Sequence, residues 1–365
     1  MTLTSPVRVA LIGTGHIAVE HAAALHSLTP HIEVCAATDI NPEILADFCA
    51  AQAIPKAYPD AAELLRVEQP DVVLISTPPF THAALAAQAM AAGADVLCEK
   101  PMVVSLAQLD AIQAAEARTG RTTTSISQWR YGSAASHVKR LIDSGELGDP
   151  LIALCNTLWY RPPTYYTSVP WRSRWSTEGG GVALGLGIHA MDLTLWLLGE
   201  WEEVSALAAT KDRDVEVETI AMAQVTFRSG AVASFVNSAV SPRQNSYIRL
   251  DFQNATIEVD HLYQYRNEHW RFSVPDQPDL QAKLAEWQHI DGTAPGSLET
   301  QWRIFLADLR AGRQPLTHTS RVRSTYDFLA SMYKSALTRQ PVRRLSVQPG
   351  DPFYEAMNGA LELSR

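Results

Sequence analysis

The chain has few cysteines, no long basic run, and no uninterrupted apolar stretch near the roughly 20 residues that cross a bilayer. Its four cysteines, Cys35, Cys49, Cys98 and Cys155, are scattered through apolar segments without CxxC spacing. That argues against a disulfide framework and a zinc site, and the four read as reduced core residues. No metal is expected. The 39 acidic residues outnumber the 30 basic ones, giving a net charge of −9. Nothing is available to track a phosphate backbone, so nucleic acid is not an expected partner. The opening residues Met1 to Pro6 lack a basic region followed by an apolar one and run at once into the strand-like Val7 to Ile12. Without a secretory pattern or a spanning segment, no membrane is expected and the default location is cytoplasmic.

What is present is enough chain for two cores. At 365 residues the length is too great for one typical domain and suits two. The first part alternates short β-branched runs with Ala-rich helical stretches. The expected strands are Val7 to Ile12, Ile32 to Thr38, Asp71 to Ser76, Ala94 to Cys98 and Thr122 to Ser127. Continuous apolar strands alternating with helices indicate a parallel sheet covered on both faces, hence an α/β N-terminal domain of the doubly wound Rossmann kind over residues 1–128. Beyond it, a helix from Ser133 to Asp143 is followed, from about residue 203, by strands around Ile220 to Phe227, Ala231 to Ala239, Tyr247 to Phe252 and Thr256 to Val259. Apolar/polar alternation with short turns predicts a large, mostly antiparallel open sheet in an α+β domain over 129–365. The segment from His269 to Pro295 reads as irregular, and 299–312 and 320–339 as amphipathic helices.

Gly13-Thr14-Gly15-His16-Ile17-Ala18 follows the first strand and opens the first helix, the context in which G-x-G-x-x-(G/A) marks a dinucleotide site. The first glycine allows the tight turn and the second lets backbone amides approach a pyrophosphate. Ala18 keeps helix and strand close, and the helix N-terminus favours the phosphates. Asp39, at the end of the second strand, stands where a carboxylate accepts hydrogen bonds from the adenosine ribose. Because it would repel a 2′-phosphate, NAD is favoured over NADP as cofactor.

Further along come Ser76-Thr77-Pro78-Pro79-Phe80-Thr81-His82, Cys98-Glu99-Lys100-Pro101, Trp171-Arg172, Glu178-Gly179-Gly180-Gly181 and Gly187-Ile188-His189-Ala190-Met191-Asp192. With the fingerprint before them, these make the chain resemble the Gfo/Idh/MocA family, which includes glucose-fructose oxidoreductase and inositol dehydrogenase. The resemblance implies an NAD(P)-dependent dehydrogenase moving hydride to or from a hydroxyl or carbonyl carbon of a sugar, inositol or related polyol. Lys100 would lie beside the nicotinamide and the reacting oxygen, and His189 would be the proton-transfer group or its close partner. Thr77, Pro78 and Glu99 fall among the cofactor contacts, and His82 either lines the nicotinamide pocket or caps the helix that follows. Asp192 would bind substrate hydroxyls or orient the site. A histidine titrating near neutral pH suits removal of the hydroxyl proton, and a cationic lysine suits a developing alkoxide.

Tyr160, Trp171 and Arg172 lie in a Pro-containing loop region where relatives place substrate contacts, and Arg130 is a hinge or substrate candidate. One position departs from the pattern: inositol-dehydrogenase-like members carry an aspartate four residues before the histidine, and here that residue is Gly185. A non-redox member of the same family, either glycosidase-like or a dinucleotide-sensing regulator, is therefore the alternative. Relatives assemble through the open sheet, which implies a homodimer or homotetramer.

Overall fold

Apolar runs of four to seven residues with both faces buried make strands that can sit only inside a covered sheet. In the computed structural model, which describes residues 6–261 and 263–361, four such runs and two shorter edge strands pair in parallel. They are β1 (Val7–Ile12), β2 (Ile32–Thr38), β3 (Ala57–Tyr58), β4 (Val72–Ile75), β5 (Asp95–Cys98) and β6 (Thr123–Ser125). Their order is β3-β2-β1-β4-β5-β6, so the winding reverses between β1 and β4. That reversal opens a crevice beyond the carboxyl ends of the strands, where ligands of doubly wound sheets bind.

The chain divides into two compact units, and the first contains 1–103, 107–126 and a late return, 298–323. The return has a packing cause. Helix Leu298–Arg310 buries Trp302, Phe305 and Leu306 in the same core as Ala18, Ala22 and Leu25 of helix His16–His26.

The second unit is built on an eight-stranded sheet, ordered β13-β12-β11-β7-β10-β9-β8-β14. Its strands are β7 (Pro150–Tyr160), β8 (Trp201–Ala209), β9 (Ile220–Phe227), β10 (Val232–Ser238), β11 (Val240–Phe252), β12 (Thr256–Val259), β13 (Trp270–Ser273) and β14 (Val342–Arg343). Among the described residues only β7 and β10 run parallel in this sheet, and its other pairings are antiparallel. Period-two alternation buries Ala221, Ala223, Val225 and Phe227 on one face of β9 and leaves Met222 on the other.

Three expectations need correction. Tyr160 ends the long strand β7 rather than lying in a loop, because β7 fills the place between β10 and β11. The segment from His269 to Pro295 carries β13 and a helix, Pro278–Trp287. Trp270 and Phe272 alternate inward, Pro278 takes the first helical turn, and Leu280 and Trp287, two turns apart, anchor the helix. The third concerns membranes: Trp175–Leu198 contains an 18-residue window with a mean hydropathy of 1.5, long and apolar enough to cross one, but that window is 83% buried inside the fold, as in a core helix.

Candidate active site

In the first unit the glycine loop takes its shape from steric necessity. Gly13 has φ +94°, and a Cβ there would lie 2.8 Å from the Ser76 carbonyl carbon and oxygen. Gly15 differs: it caps the helix in extended conformation, is exposed, and a Cβ on it would meet nothing within 4 Å. An open space directly over a helix N-terminus that still offers amide donors is a cradle for a pyrophosphate, and the residues present fit a dinucleotide. His16 and Ile17 are exposed on the first turn.

Thr14 is buried and ties the loop to β2: its amide and hydroxyl both donate to Asp39 Oδ2, at 2.8 and 3.1 Å. Asn41 N–H donates to Asp39 Oδ1 at 2.9 Å. Asp39 therefore stands half-buried at the strand end as a negative group with both oxygens oriented, and Ile40 beside it is fully exposed.

After β4, Thr77 and Pro78 are half-buried, and Thr77 Oγ1 shares a hydrogen bond with Thr81 Oγ1 at 2.7 Å. His82 is completely buried, with Nε2 2.8 Å from the Thr77 carbonyl and Nδ1 3.0 Å from the Pro101 carbonyl. It is a strut between the β4 and β5 loops, and burial pushes its pKa down despite those carbonyls.

The β5 loop is held from behind. Lys100 N–H donates to Glu99 Oε2 at 2.8 Å, and His21 Nε2 lies 2.9 Å from Glu99 Oε1. The Trp302 indole N–H donates to His21 Nδ1 at 2.9 Å. An indole can only donate, so Nδ1 accepts and the His21 proton sits on Nε2, directed at the carboxylate. Burial alone would raise the Glu99 pKa, but the His21 hydrogen bond and the neighbouring Lys100 outweigh it and hold the group below the usual carboxylate range. Lys100 itself is half-buried at the loop end.

In the second unit His189 is buried in helix Ile188–Leu198. Trp129 stacks on its ring at 5.0 Å and 29°, and Tyr263 meets it edge-on at 5.9 Å. Asp192, one turn on, is occupied: Arg130 Nε donates to Oδ2 at 2.7 Å, Arg130 Nη2 to Oδ1 at 2.5 Å, and Thr325 Oγ1 to Oδ1 at 2.7 Å. A buried bidentate pair of this kind fixes the helix that bears His189, because losing either partner strands a charge.

The glycine run before that helix has a local cause. A Cβ on Gly180 would meet the Tyr333 hydroxyl at 2.2 Å, and one on Gly181 the Glu218 carbonyl oxygen at 1.9 Å. The fully buried Glu218 carboxylate accepts from Gly181 N–H, Ala183 N–H and the Tyr333 hydroxyl, at 2.8, 3.0 and 2.8 Å. Burial pushes its carboxyl up to about 7, against the pull of those donors. A π-helical turn, Ala183–Gly187, leads into the His189 helix, an irregularity that collects at functional sites.

Arg172 lies over the Tyr165 ring at 4.1 Å and the Trp171 ring at 5.0 Å, and donates to the Tyr165 carbonyl at 3.1 Å. Arg161 faces Trp159 at 4.9 Å and Tyr165 at 5.5 Å. Tyr160 is exposed, with the Arg213 guanidinium over its ring at 5.4 Å. Sequence reasoning missed Trp129, Tyr263, Glu178, Glu218 and His21. Glu218 in Asp-Val-Glu-Val-Glu-Thr looks like surface charge, and only its pairing with the glycine run reveals it.

Comparison with known proteins agrees with this fold. Residues 7–126 match the family model described as an oxidoreductase family with an NAD-binding Rossmann fold, and residues 135–259 match a GFO/IDH/MocA C-terminal domain. The chain is 26% identical over 361 residues to D-apiose dehydrogenase of Paraburkholderia graminis, covering 94% of this chain and 91% of that protein. It is 31% identical to inositol 2-dehydrogenase of Streptomyces avermitilis over 206 residues, 56% of each chain. Among solved structures it superposes on the WlbA dehydrogenase of Bordetella pertussis, crystallised with NADH and UDP-GlcNAcA. The TM-score is 0.83 and the identity 25%, over 94% of this chain and 99% of that one.

Proposed function

The chain belongs to the Gfo/Idh/MocA family of NAD-binding oxidoreductases, and from that premise we propose that it transfers hydride between NAD and a hydroxyl or carbonyl carbon of a sugar, inositol or related polyol. The carrying observation is the glycine loop, where Gly15 leaves open space over a helix N-terminus, on the same sheet that holds Lys100 at the end of β5. The relatives named above are dehydrogenases of a sugar and of inositol, which supports redox chemistry over the non-redox alternative.

When bound, the nicotinamide supplies the hydride acceptor or donor. Lys100 carries positive charge for the developing alkoxide, and His189 takes the hydroxyl proton. Asp39 selects against a 2′-phosphate. Asp192 holds the His189 helix through Arg130 rather than binding substrate hydroxyls, and Trp171 and Arg172 offer an aromatic and a cationic face to the sugar. The test is turnover followed by nicotinamide absorbance across inositols, aldoses and sugar acids. Lys100→Ala should cut kcat at least about 100-fold, the range of lost proton-transfer and electrostatic groups; undiminished turnover in the variant would remove Lys100 from the chemistry.

We also propose a homodimer or homotetramer in the cytoplasm. Leu207 and Met222 pair across β8 and β9 on the open face, at 69% and 45% exposure, and the exposed Val232 and Ile152 pair farther along the sheet, Val232 standing opposite Thr226. A second copy would cover this apolar face; a monomer in sedimentation velocity would refute the assembly. Four buried cysteines, all unpaired, suit a reducing compartment.

A further inference from the structure

Three glycines around the His189 helix are required by their neighbours. At Gly180, Gly181 and Gly187 a Cβ would stand only 2.2, 1.9 and 2.1 Å from the nearest atom. Gly185 is different. A Cβ there would make an ordinary 3.5 Å contact, and the atom it would meet is Glu178 Oε1. Packing at the Cβ does not demand glycine; a longer side chain at 185 and the Glu178 carboxylate would compete for one space.

The place of that space matters because Gly185 precedes His189 by four residues, roughly one turn back along the same coil, within the π-helical turn Ala183–Gly187 that runs into the His189 helix. Glu178 is held there. It is buried at 5% exposure and ends the short helix Trp175–Glu178, and its other oxygen, Oε2, accepts the Ser173 N–H at 2.7 Å. Gly179 follows it at φ +80° and turns the chain away. The carboxylate is thus fixed by backbone on one oxygen, and its other oxygen stands 3.5 Å from where a Gly185 Cβ would be, beside the turn that leads into His189.

We propose that Glu178 is the positioning carboxylate of His189, delivered from outside the helix into room that Gly185 leaves open. The inference rests on the reading of His189 as the proton-transfer group. A negative group beside that turn favours the protonated imidazole that forms when a substrate hydroxyl gives up its proton. It acts through its charge and does not itself accept the proton. The missing aspartate at 185 is then replaced in space by a residue seven positions earlier.

The test uses the full-length enzyme with three variants. Glu178→Gln keeps the shape and removes the charge. It should lower kcat about 10- to 100-fold with KM for NAD unchanged, within the range of groups that assist proton transfer, and move the acid limb of the kcat/KM profile to lower pH. Glu178→Ala should lose at least as much. Glu178→Ala combined with Gly185→Asp, which returns a carboxylate from the helix itself, should recover at least about tenfold of that loss.

A Glu178→Gln enzyme within twofold of wild type and with an unmoved pH profile would overturn the proposal. So would a folded double variant no better than Glu178→Ala. The His189 imidazole titration, followed by NMR in the unliganded protein, separates this from the functional reading. A lower pKa in Glu178→Gln supports the proposal even if no polyol is turned over, and an unchanged one refutes it even if the enzyme is an active dehydrogenase.

Discussion

Two glycines two positions apart do opposite work. Gly13 serves the fold: its φ of +94° and the 2.8 Å approach to Ser76 leave no place for a side chain. Gly15 serves the ligand in the proposed reading, and a Cβ on it would meet nothing of the protein within 4 Å. Gly13→Ala should therefore cost about 1–3 kcal/mol of stability from backbone strain alone, read as a lowered midpoint in denaturant. Gly15→Ala should leave that midpoint in place and weaken NAD at least about tenfold, roughly 1.4 kcal/mol, by calorimetry. Equal effects of the two on stability would contradict the division. The fingerprint reports both glycines from sequence because it encodes backbone geometry. It does not report that Asp39 would also bind the loop through Thr14, since that contact depends on how β1 and β2 are paired.

At the scale of elements, the His189 helix is held by buried carboxylates. Asp192 is neutralised by Arg130, whereas Glu218 has only neutral donors and its carboxyl rises to about 7 from an ordinary 4.5. A carboxyl raised in the folded state binds its proton more tightly there than in the unfolded chain. Its stabilising contribution is complete below about pH 4.5 and is lost as the pH climbs through about 7. Thermal melts of wild type should therefore lose stability over that interval, and Glu218→Gln should flatten the slope; an identical slope in the variant would exclude Glu218 as its source. Strands with strict alternation, such as Ile220–Phe227 and Thr256–Val259, were legible to the residue. β13 and the helix Pro278–Trp287 were not, because a few anchors among prolines and polar residues carry too weak a period to stand out. The roles of Glu178 and Glu218 stay hidden for a related reason: a glutamate beside glycines looks the same whether it faces water or a buried amide.

For the whole molecule, the order of elements made the parallel and antiparallel sheets readable, since each strand type leaves its own burial pattern. The return of residues 298–323 to the first unit was not readable. An amphipathic helix shows which of its faces is buried but not which core receives it, and here Trp302 delivers its indole N–H to His21 and so joins the chain of contacts ending at Lys100. The most direct measurement on the complete enzyme is mass spectrometry of the nicotinamide after incubation with NAD and a polyol deuterated at the carbinol carbon. Direct hydride transfer leaves one deuterium in NADH and an equal amount of carbonyl product, and this is the expected result. Deuterium lost from the substrate while no NADH accumulates, or no exchange at all with NAD bound, would contradict net dehydrogenation.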